Sequence, residues 1–143
     1  MSDNTSTEHE LFLNSALEQA QLRRGFCAPN PSVGAVAVLD GKIIGRACHY
    51  KAGDYHAEAA LIQTLPRGLC NVTLYVTLEP CNHWGKTPPC VDAIIDYGFS
   101  KVVYAYRDPH IHSEEDKTPK ILASHGIEVI HYLSLIHISE PTR

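Results

Sequence analysis

The feature that most constrains the fold is an alternation of strand and helix patterns that begins at residue 33. Residues 33–39 form an apolar run typical of a buried strand, and residues 72–78 alternate apolar and polar side chains. The favoured hairpin turn Asp40-Gly41 predicts that residues 42–46 pair back on the first strand. Strands are also predicted over 101–106 and 127–131, and helices over 10–24, 56–65, 90–97 and 117–125. Such alternation predicts an α/β fold, with helices covering the faces of a layered sheet.

The two ends of the chain differ in composition from the region between them. Residues 1–9 are polar and are predicted to form a disordered lead-in to one domain over residues 10–133. They lack the basic start and apolar stretch of a signal peptide, so we expect a cytoplasmic protein. Residues 134–143 resemble a translated sequencing adapter, which predicts an artefactual or disordered tail; a short natural tail is the alternative.

Charge and cysteine content narrow the classes of partner. The net charge of −4 gives no electrostatic reason for binding to nucleic acid or to an anionic membrane. No apolar run approaches the roughly 20 residues of a transmembrane helix. Five cysteines, an odd number without an export signal, favour thiols or metal ligands over disulfides. We therefore expect neither nucleic acid nor membrane as a partner, while a small anionic substrate stays possible if Lys or Arg lies near the site.

Two short motifs together predict a zinc site. His56-Ala57-Glu58 opens one predicted helix, and Cys81 and Cys90 lie between a strand and the start of another. Helices on one face of a sheet bring their N-termini to one edge, so His56, Cys81 and Cys90 can converge on Zn²⁺. Three protein ligands leave one tetrahedral position open, as in catalytic zinc sites. Glu58 is not needed as a ligand, and its carboxyl group can move a proton from water to a departing amine.

The spacing of the two cysteines carries a resemblance to a known family. The order H-x-E, P-C and a second cysteine is typical of zinc nucleobase deaminases, whose cysteines are usually two residues apart. Here the segment reads Cys81-Asn-His-Trp-Gly-Lys-Thr-Pro-Pro-Cys90, preceded by Thr77-Leu-Glu-Pro80. With residues 29–34 and 53–58, it resembles the deaminase domain of the bifunctional riboflavin-biosynthesis deaminase/reductase. The resemblance covers residues 10–133 and implies a three-layer α/β/α, cytidine deaminase-like fold with a central mixed sheet.

The resemblance also implies an activity and residue roles. The activity is hydrolytic removal of the 2-amino group of a diaminohydroxy-ribosylaminopyrimidine 5′-phosphate. His56, Cys81 and Cys90 become zinc ligands, and Glu58 becomes the proton shuttle. Asn30 can donate and accept at the edge of a pyrimidinone, and Lys86 offers a point charge to a phosphate, although they could instead shape a turn and a solvated loop. The positions that match the family's substrate pocket are Asn30, His49, His83, Lys86 and Asp108.

The resemblance weakens after residue 106. The family usually has Asp-Pro-Asn-Pro and a glycine-containing loop there, whereas this chain has Asp108-Pro-His110 and no glycine before Lys117. This departure leaves the zinc chemistry unaffected but puts recognition of the ribose phosphate in question. The family's reductase half is absent from this chain. Either the protein is a stand-alone deaminase, or the adapter-like tail marks where a longer gene was cut short; in both cases we expect this chain to deaminate without binding NADPH. The usual assembly of the fold implies a homo-oligomer.

Two other hypotheses stay open. The altered segment at His110 is compatible with a zinc deaminase of another small pyrimidine or nucleoside. A non-catalytic zinc-binding module is a second alternative, although such a site has no use for Glu58 beside the metal. Each motif alone also has a plainer interpretation, because His-Ala-Glu occurs by chance in helices and cysteines are often buried as apolar residues. RNA editing is least expected, given the acidic balance and the long cysteine loop.

Overall fold

The computed structural model describes residues 2–22, 33–48, 57–78, 90–106 and 117–132. Within these ranges the chain forms four helices and five strands. The helices are α1 (Ser2–Leu22), α2 (Ala57–Thr64), α3 (Cys90–Tyr97) and α4 (Lys117–Ser124). The strands are β1 (Gly34–Leu39), β2 (Lys42–Cys48), β3 (Thr73–Leu78), β4 (Lys101–Tyr106) and β5 (Glu128–His131).

The five strands form one mixed sheet in the order β2-β1-β3-β4-β5. β1 is antiparallel to both β2 and β3, whereas β3, β4 and β5 are parallel to one another. The hairpin between β1 and β2 turns at Asp40 and Gly41, whose φ angles of 53° and 77° are both positive, as a type I′ turn requires. The Asp-Gly turn signal is therefore confirmed.

Two apolar clusters on opposite faces of the sheet define three layers. On one face, α1 buries Phe12, Leu13 and Ala16 against residues of β1, β3 and β4. On the other face, α2, α3 and α4 share a larger cluster with the sheet, in which Leu61 and Ile94 are fully buried. This arrangement confirms the predicted three-layer α/β/α fold. None of the helices in the described ranges combines the length and the apolar character needed to cross a membrane.

The structure differs from the sequence prediction at the N-terminus. Residues 1–9 are predicted as a disordered lead-in and the helix is predicted to start at residue 10, whereas α1 begins at Ser2. Extending an existing helix is much easier than nucleating one, and the buried residues Phe12, Leu13 and Ala16 hold α1 on the sheet. His9, which is 6% exposed, adds a further contact. The predicted tail over 134–143 lies outside the described residues.

The remaining element ends agree closely with the prediction. α3 and β4 have the predicted bounds, and the other ends differ by at most two residues, a normal uncertainty. The stop of α3 has a clear cause, because Gly98 adopts a φ of 95° and its N–H donates to the carbonyl of Ile94 at 3.2 Å. The helix thus ends at the glycine that predicted its end.

Candidate active site

One edge of the sheet collects the chain segments that carry the predicted site residues. Gly34, the first residue of β1, pairs with Cys48 at the end of β2 and bonds to Thr77 near the end of β3. β4 is parallel to β3, so it ends at the same edge, which we call the site edge. Along the chain, the following predicted residues lie within four residues of these strand ends: Asn30, His49, Cys81 and Asp108.

Two helices begin at the site edge. α2 connects the end of β2 to the start of β3, and α3 connects the end of β3 to the start of β4. β2, β3 and β4 all run in the same direction, so each helix has to return from the site edge to the opposite edge. α2 and α3 contact each other and share one apolar cluster. Their first residues, Ala57 and Cys90, therefore lie at the site edge on neighbouring helices.

Glu58 lies in the first turn of α2 and is only 3% exposed. Its neighbours on the helix, Ala57 and Leu61, are fully buried. Burying a carboxylate is costly unless other groups compensate, and the field at a helix N-terminus favours negative charge. Such a carboxyl group can exchange protons with a ligand held at the site edge while it is shielded from bulk water. The structure thus places Glu58 in the first turn of α2, close to the predicted helix start, and its catalytic role stays a prediction.

Gly45 of β2 lets α2 lie close to the sheet. A Cβ atom at this position would lie 2.8 Å from Cδ2 of Leu65 and 3.0 Å from Cδ1 of Leu61, both well inside ordinary contact distance. Leu61 lies one turn after Glu58 on the same helix, and Leu65 follows the helix directly. The absence of a side chain at residue 45 therefore helps to fix the position of Glu58.

Cys90 is the first residue of α3, as predicted. Val91 and Ile94 anchor this helix in the core. Within the described ranges, no three His, Cys, Asp or Glu side chains are grouped so that they could hold a metal ion. Of the predicted site, those ranges contain only Glu58 and Cys90. The other predicted residues lie outside them: Asn30, His49, His56, Cys81, His83, Lys86 and Asp108.

Two buried polar features were not predicted from the sequence. Thr77 is 3% exposed, and its Oγ1 accepts a hydrogen bond from the N–H of Gly34 at 3.2 Å. On the α1 face, His9 Nδ1 and the Tyr75 hydroxyl group are hydrogen-bonded at 2.8 Å, while His9 Nε2 has no partner in the described part of the chain. Burial raises the pKa of Tyr75 and lowers the pKa of His9. Of these two features, the hydrogen bond of Thr77 is the one at the site edge.

Comparison with known proteins confirms the resemblance. The family described as the cytidine and deoxycytidylate deaminase zinc-binding region matches residues 6–106. The riboflavin biosynthesis protein RibD of Aquifex aeolicus is 50% identical over 99 residues, which make up 69% of this chain and 28% of that protein. The diaminohydroxyphosphoribosylamino-pyrimidine deaminase of Buchnera aphidicola is 41% identical over 99 residues, or 69% of this chain and 67% of that protein.

A solved structure agrees with these relatives. The diaminohydroxyphosphoribosylaminopyrimidine deaminase/5-amino-6-(5-phosphoribosylamino)uracil reductase of Thermotoga maritima has a TM-score of 0.80 and 41% sequence identity to this chain. That match covers 89% of this chain and 37% of the Thermotoga chain. This chain therefore spans well under half the length of the relatives from Aquifex aeolicus and Thermotoga maritima. The family match extends over most of the chain and includes both Glu58 and Cys90, so the chain belongs to the cytidine and deoxycytidylate deaminase zinc-binding family.

Proposed function

We propose that this chain is a zinc-dependent hydrolytic deaminase. Its proposed substrate is 2,5-diamino-6-ribosylamino-4(3H)-pyrimidinone 5′-phosphate, and its products are 5-amino-6-ribosylaminouracil 5′-phosphate and ammonia. The observation that carries the proposal is the buried carboxyl group of Glu58 in the first turn of α2, a helix that packs against α3, which begins at Cys90. The relative from Buchnera aphidicola, named for this deamination, matches 69% of this chain. That relative supports the choice of substrate.

The proposed ligand set fits zinc. His56 directly precedes α2 and Cys90 begins α3, and these two helices are in contact. Cys81 comes three residues after the end of β3, which also ends at this edge. One imidazole and two thiolates are ligands that zinc prefers, and three of them suit a catalytic site. A zinc ion held there would supply a Lewis acid that makes a water molecule nucleophilic near neutral pH.

Glu58 would move the protons of the reaction. Hydrolysis adds the oxygen of water to the ring carbon, breaks the bond from that carbon to the amino nitrogen, and releases ammonia. The Glu58 carboxylate would take a proton from the attacking water and deliver it to the amino nitrogen as that nitrogen leaves. Burial keeps Glu58 away from bulk water, so the proton it accepts is retained for the leaving group. One carboxyl group can therefore act first as base and then as acid.

The substrate roles come from the family resemblance. In this proposal, Asn30 and the two histidines His49 and His83 bind the pyrimidinone, and Lys86 binds the phosphate. Asp108, two residues after β4, would contact the ribose phosphate from the fourth strand end at the site edge. The support is that the segments carrying Asn30, His49 and Asp108 connect to the same edge as α2. This assignment places the pyrimidinone of the substrate beside the metal and its ribose phosphate toward the end of β4.

A single isosteric substitution tests the role of Glu58. Glu58→Gln keeps the size of the side chain and removes the proton shuttle, so ammonia release from the ribotide should fall by about 10²–10⁴-fold. Zinc content should stay near that of the unmodified protein. Asp92→Asn is the matched control, because Asp92 also lies in the first turn of a helix but is exposed. Full activity in the Glu58→Gln variant would contradict the proposed mechanism.

One observation favours a second substrate class, another small pyrimidine or nucleoside. His110 stands where the family usually has asparagine, in the segment that follows β4. Purified protein should therefore be assayed for ammonia release from cytidine as well as from the diaminopyrimidine ribotide. Turnover of cytidine alone would leave the zinc deaminase assignment intact and overturn the proposed substrate.

A further inference from the structure

At the site edge, a side-chain hydrogen bond joins β1 and β3. Main-chain pairing between these strands ends at Ala35 and Val76. One residue further toward the site edge, the N–H of Gly34 donates to Oγ1 of Thr77 at 3.2 Å. Both residues are buried, so neither group is readily paired with water instead. The Thr77 hydroxyl group thus holds the two strand ends together where the main-chain ladder has stopped.

The two joined strand ends lead to two different segments of the proposed site. Gly34 is four residues after Asn30, a proposed substrate-binding residue, and Thr77 is four residues before Cys81, a proposed zinc ligand. Asn30 is connected to the sheet through β1 and Cys81 through β3, while His83 and Lys86 follow Cys81 in the same connection. The position of Asn30 relative to the proposed metal site therefore depends on how firmly β1 and β3 are joined at this end.

We propose that Thr77 is a positioning residue, whose hydroxyl group fixes the substrate-binding segment before β1 relative to the zinc-binding segment after β3. This inference rests on the proposed function, but it assigns a role that the family match leaves open. Thr77 acts through the main chain of Gly34, so the loss of its hydroxyl group should misalign the substrate and loosen the zinc-binding segment without removing the metal.

The physical consequence of losing the hydroxyl group can be stated from the geometry. Thr77→Val keeps the branched shape and removes the acceptor, which leaves the buried N–H of Gly34 unpaired. The first residue of β1 is then free to separate from β3. Misplacement of a substrate by about 1 Å can cost on the order of 10²-fold in rate, so a loss of about 10- to 100-fold in kcat/KM is expected. Thr77→Ser, which restores the hydroxyl group, should recover most of this loss.

The experiment compares Thr77→Val, Thr77→Ser and Thr73→Val in the same zinc-loaded chain. Thr73 lies on β3 at the opposite edge, so Thr73→Val controls for the loss of a threonine hydroxyl from this strand. Amide hydrogen exchange at Gly34 tests the bond itself, and kcat and KM on the ribotide test its consequence. We expect faster exchange and lower kcat/KM in Thr77→Val, with recovery of both in Thr77→Ser.

Two results would overturn the positioning role. One is unchanged exchange at Gly34 in Thr77→Val; the other is fast exchange with kcat/KM equal to that of Thr73→Val. If the unmodified protein does not turn over the ribotide, the proposed function fails and the rate of zinc release to a chromophoric chelator replaces activity. Faster zinc release from Thr77→Val than from Thr73→Val would then support the positioning role, and equal rates would overturn it.

Discussion

Replacing Gly45 with alanine should push α2 away from the sheet. The new Cβ would lie 2.8 Å from Leu65 Cδ2 and 3.0 Å from Leu61 Cδ1, whereas ordinary contacts begin at 3.4 Å. Leu61 is fully buried and Leu65 is 6% exposed, so there is little space into which either methyl group can turn. Overpacking of this kind costs about 1–3 kcal/mol, and removing a glycine from a strand returns about 0.5–1 kcal/mol. We expect a net loss of about 1 kcal/mol in the free energy of unfolding.

A second substitution tests whether the clash is the cause. Leu65→Ala removes the closest methyl group, so Gly45→Ala combined with Leu65→Ala should be more stable than the two separate losses predict, by about 1 kcal/mol. Urea denaturation of the four proteins measures this coupling. Gly41→Ala is the control, because its φ of 77° makes alanine strained while no atom lies within 4 Å of the added Cβ. The loss of unfolding free energy in Gly41→Ala should simply add to the loss in Leu65→Ala.

The same displacement should reach the active site. α2 carries Glu58 one turn before Leu61, so a shift of the helix moves the carboxyl group relative to the substrate. kcat for ammonia release should fall by about 10-fold in Gly45→Ala and recover in the double variant. If the losses of unfolding free energy in Gly45→Ala and Leu65→Ala simply added in the double variant, the close approach of Gly45 to Leu65 would be refuted. Lower stability with unchanged kcat would show that Leu65 yields alone and that Gly45 does not set the position of Glu58.

Three further predictions test other parts of the fold. Burial, followed by the charge of Lys101, lowers the pKa of His9 below its ordinary 6.5, so the unfolded chain binds a proton more readily. Stability should therefore fall as the pH drops through 6.5, and His9→Leu should flatten this dependence in urea titrations between pH 8 and 5. Gly98→Ala should cost about 1–2 kcal/mol in the same assay, because φ is positive at the end of α3. Ile94→Ala should cost about 2–5 kcal/mol, since this side chain is fully buried; a loss below 1 kcal/mol would contradict its place in the core.

Local patterns were sufficient to predict most of the sheet and the helices packed on it. The apolar run of β1, the Asp40-Gly41 turn and the glycine after α3 each act over a few residues, so they can be read without knowing the fold. The start of α1 could not be predicted in this way. Residues 2–9 carry no apolar periodicity, and their helical structure depends on packing of the later turns against the sheet.

The sequence could predict those site residues whose position depends only on a nearby helix start. Glu58 and Cys90 open helices, and the order of strand and helix patterns already indicated as much. The hydrogen bond between Gly34 and Thr77 spans 43 positions and that between His9 and Tyr75 spans 66. Such contacts depend on which strands are neighbours and in which register, and no local pattern in the sequence specifies either.

The order of the strands also explains how the segment that contains His110 can vary without a change in the proposed zinc site. The proposed zinc ligands and Glu58 belong to the connections that follow β2 and β3, the two strands that flank β1. The segment with His110 follows β4, on the far side of β3 from β1. A change after β4 therefore leaves the helix starts at Ala57 and Cys90 in place. Zinc content should consequently be the same in His110→Asn and in the unmodified protein, while KM for the ribotide should differ between them, and a change in zinc content would show that the two parts are coupled.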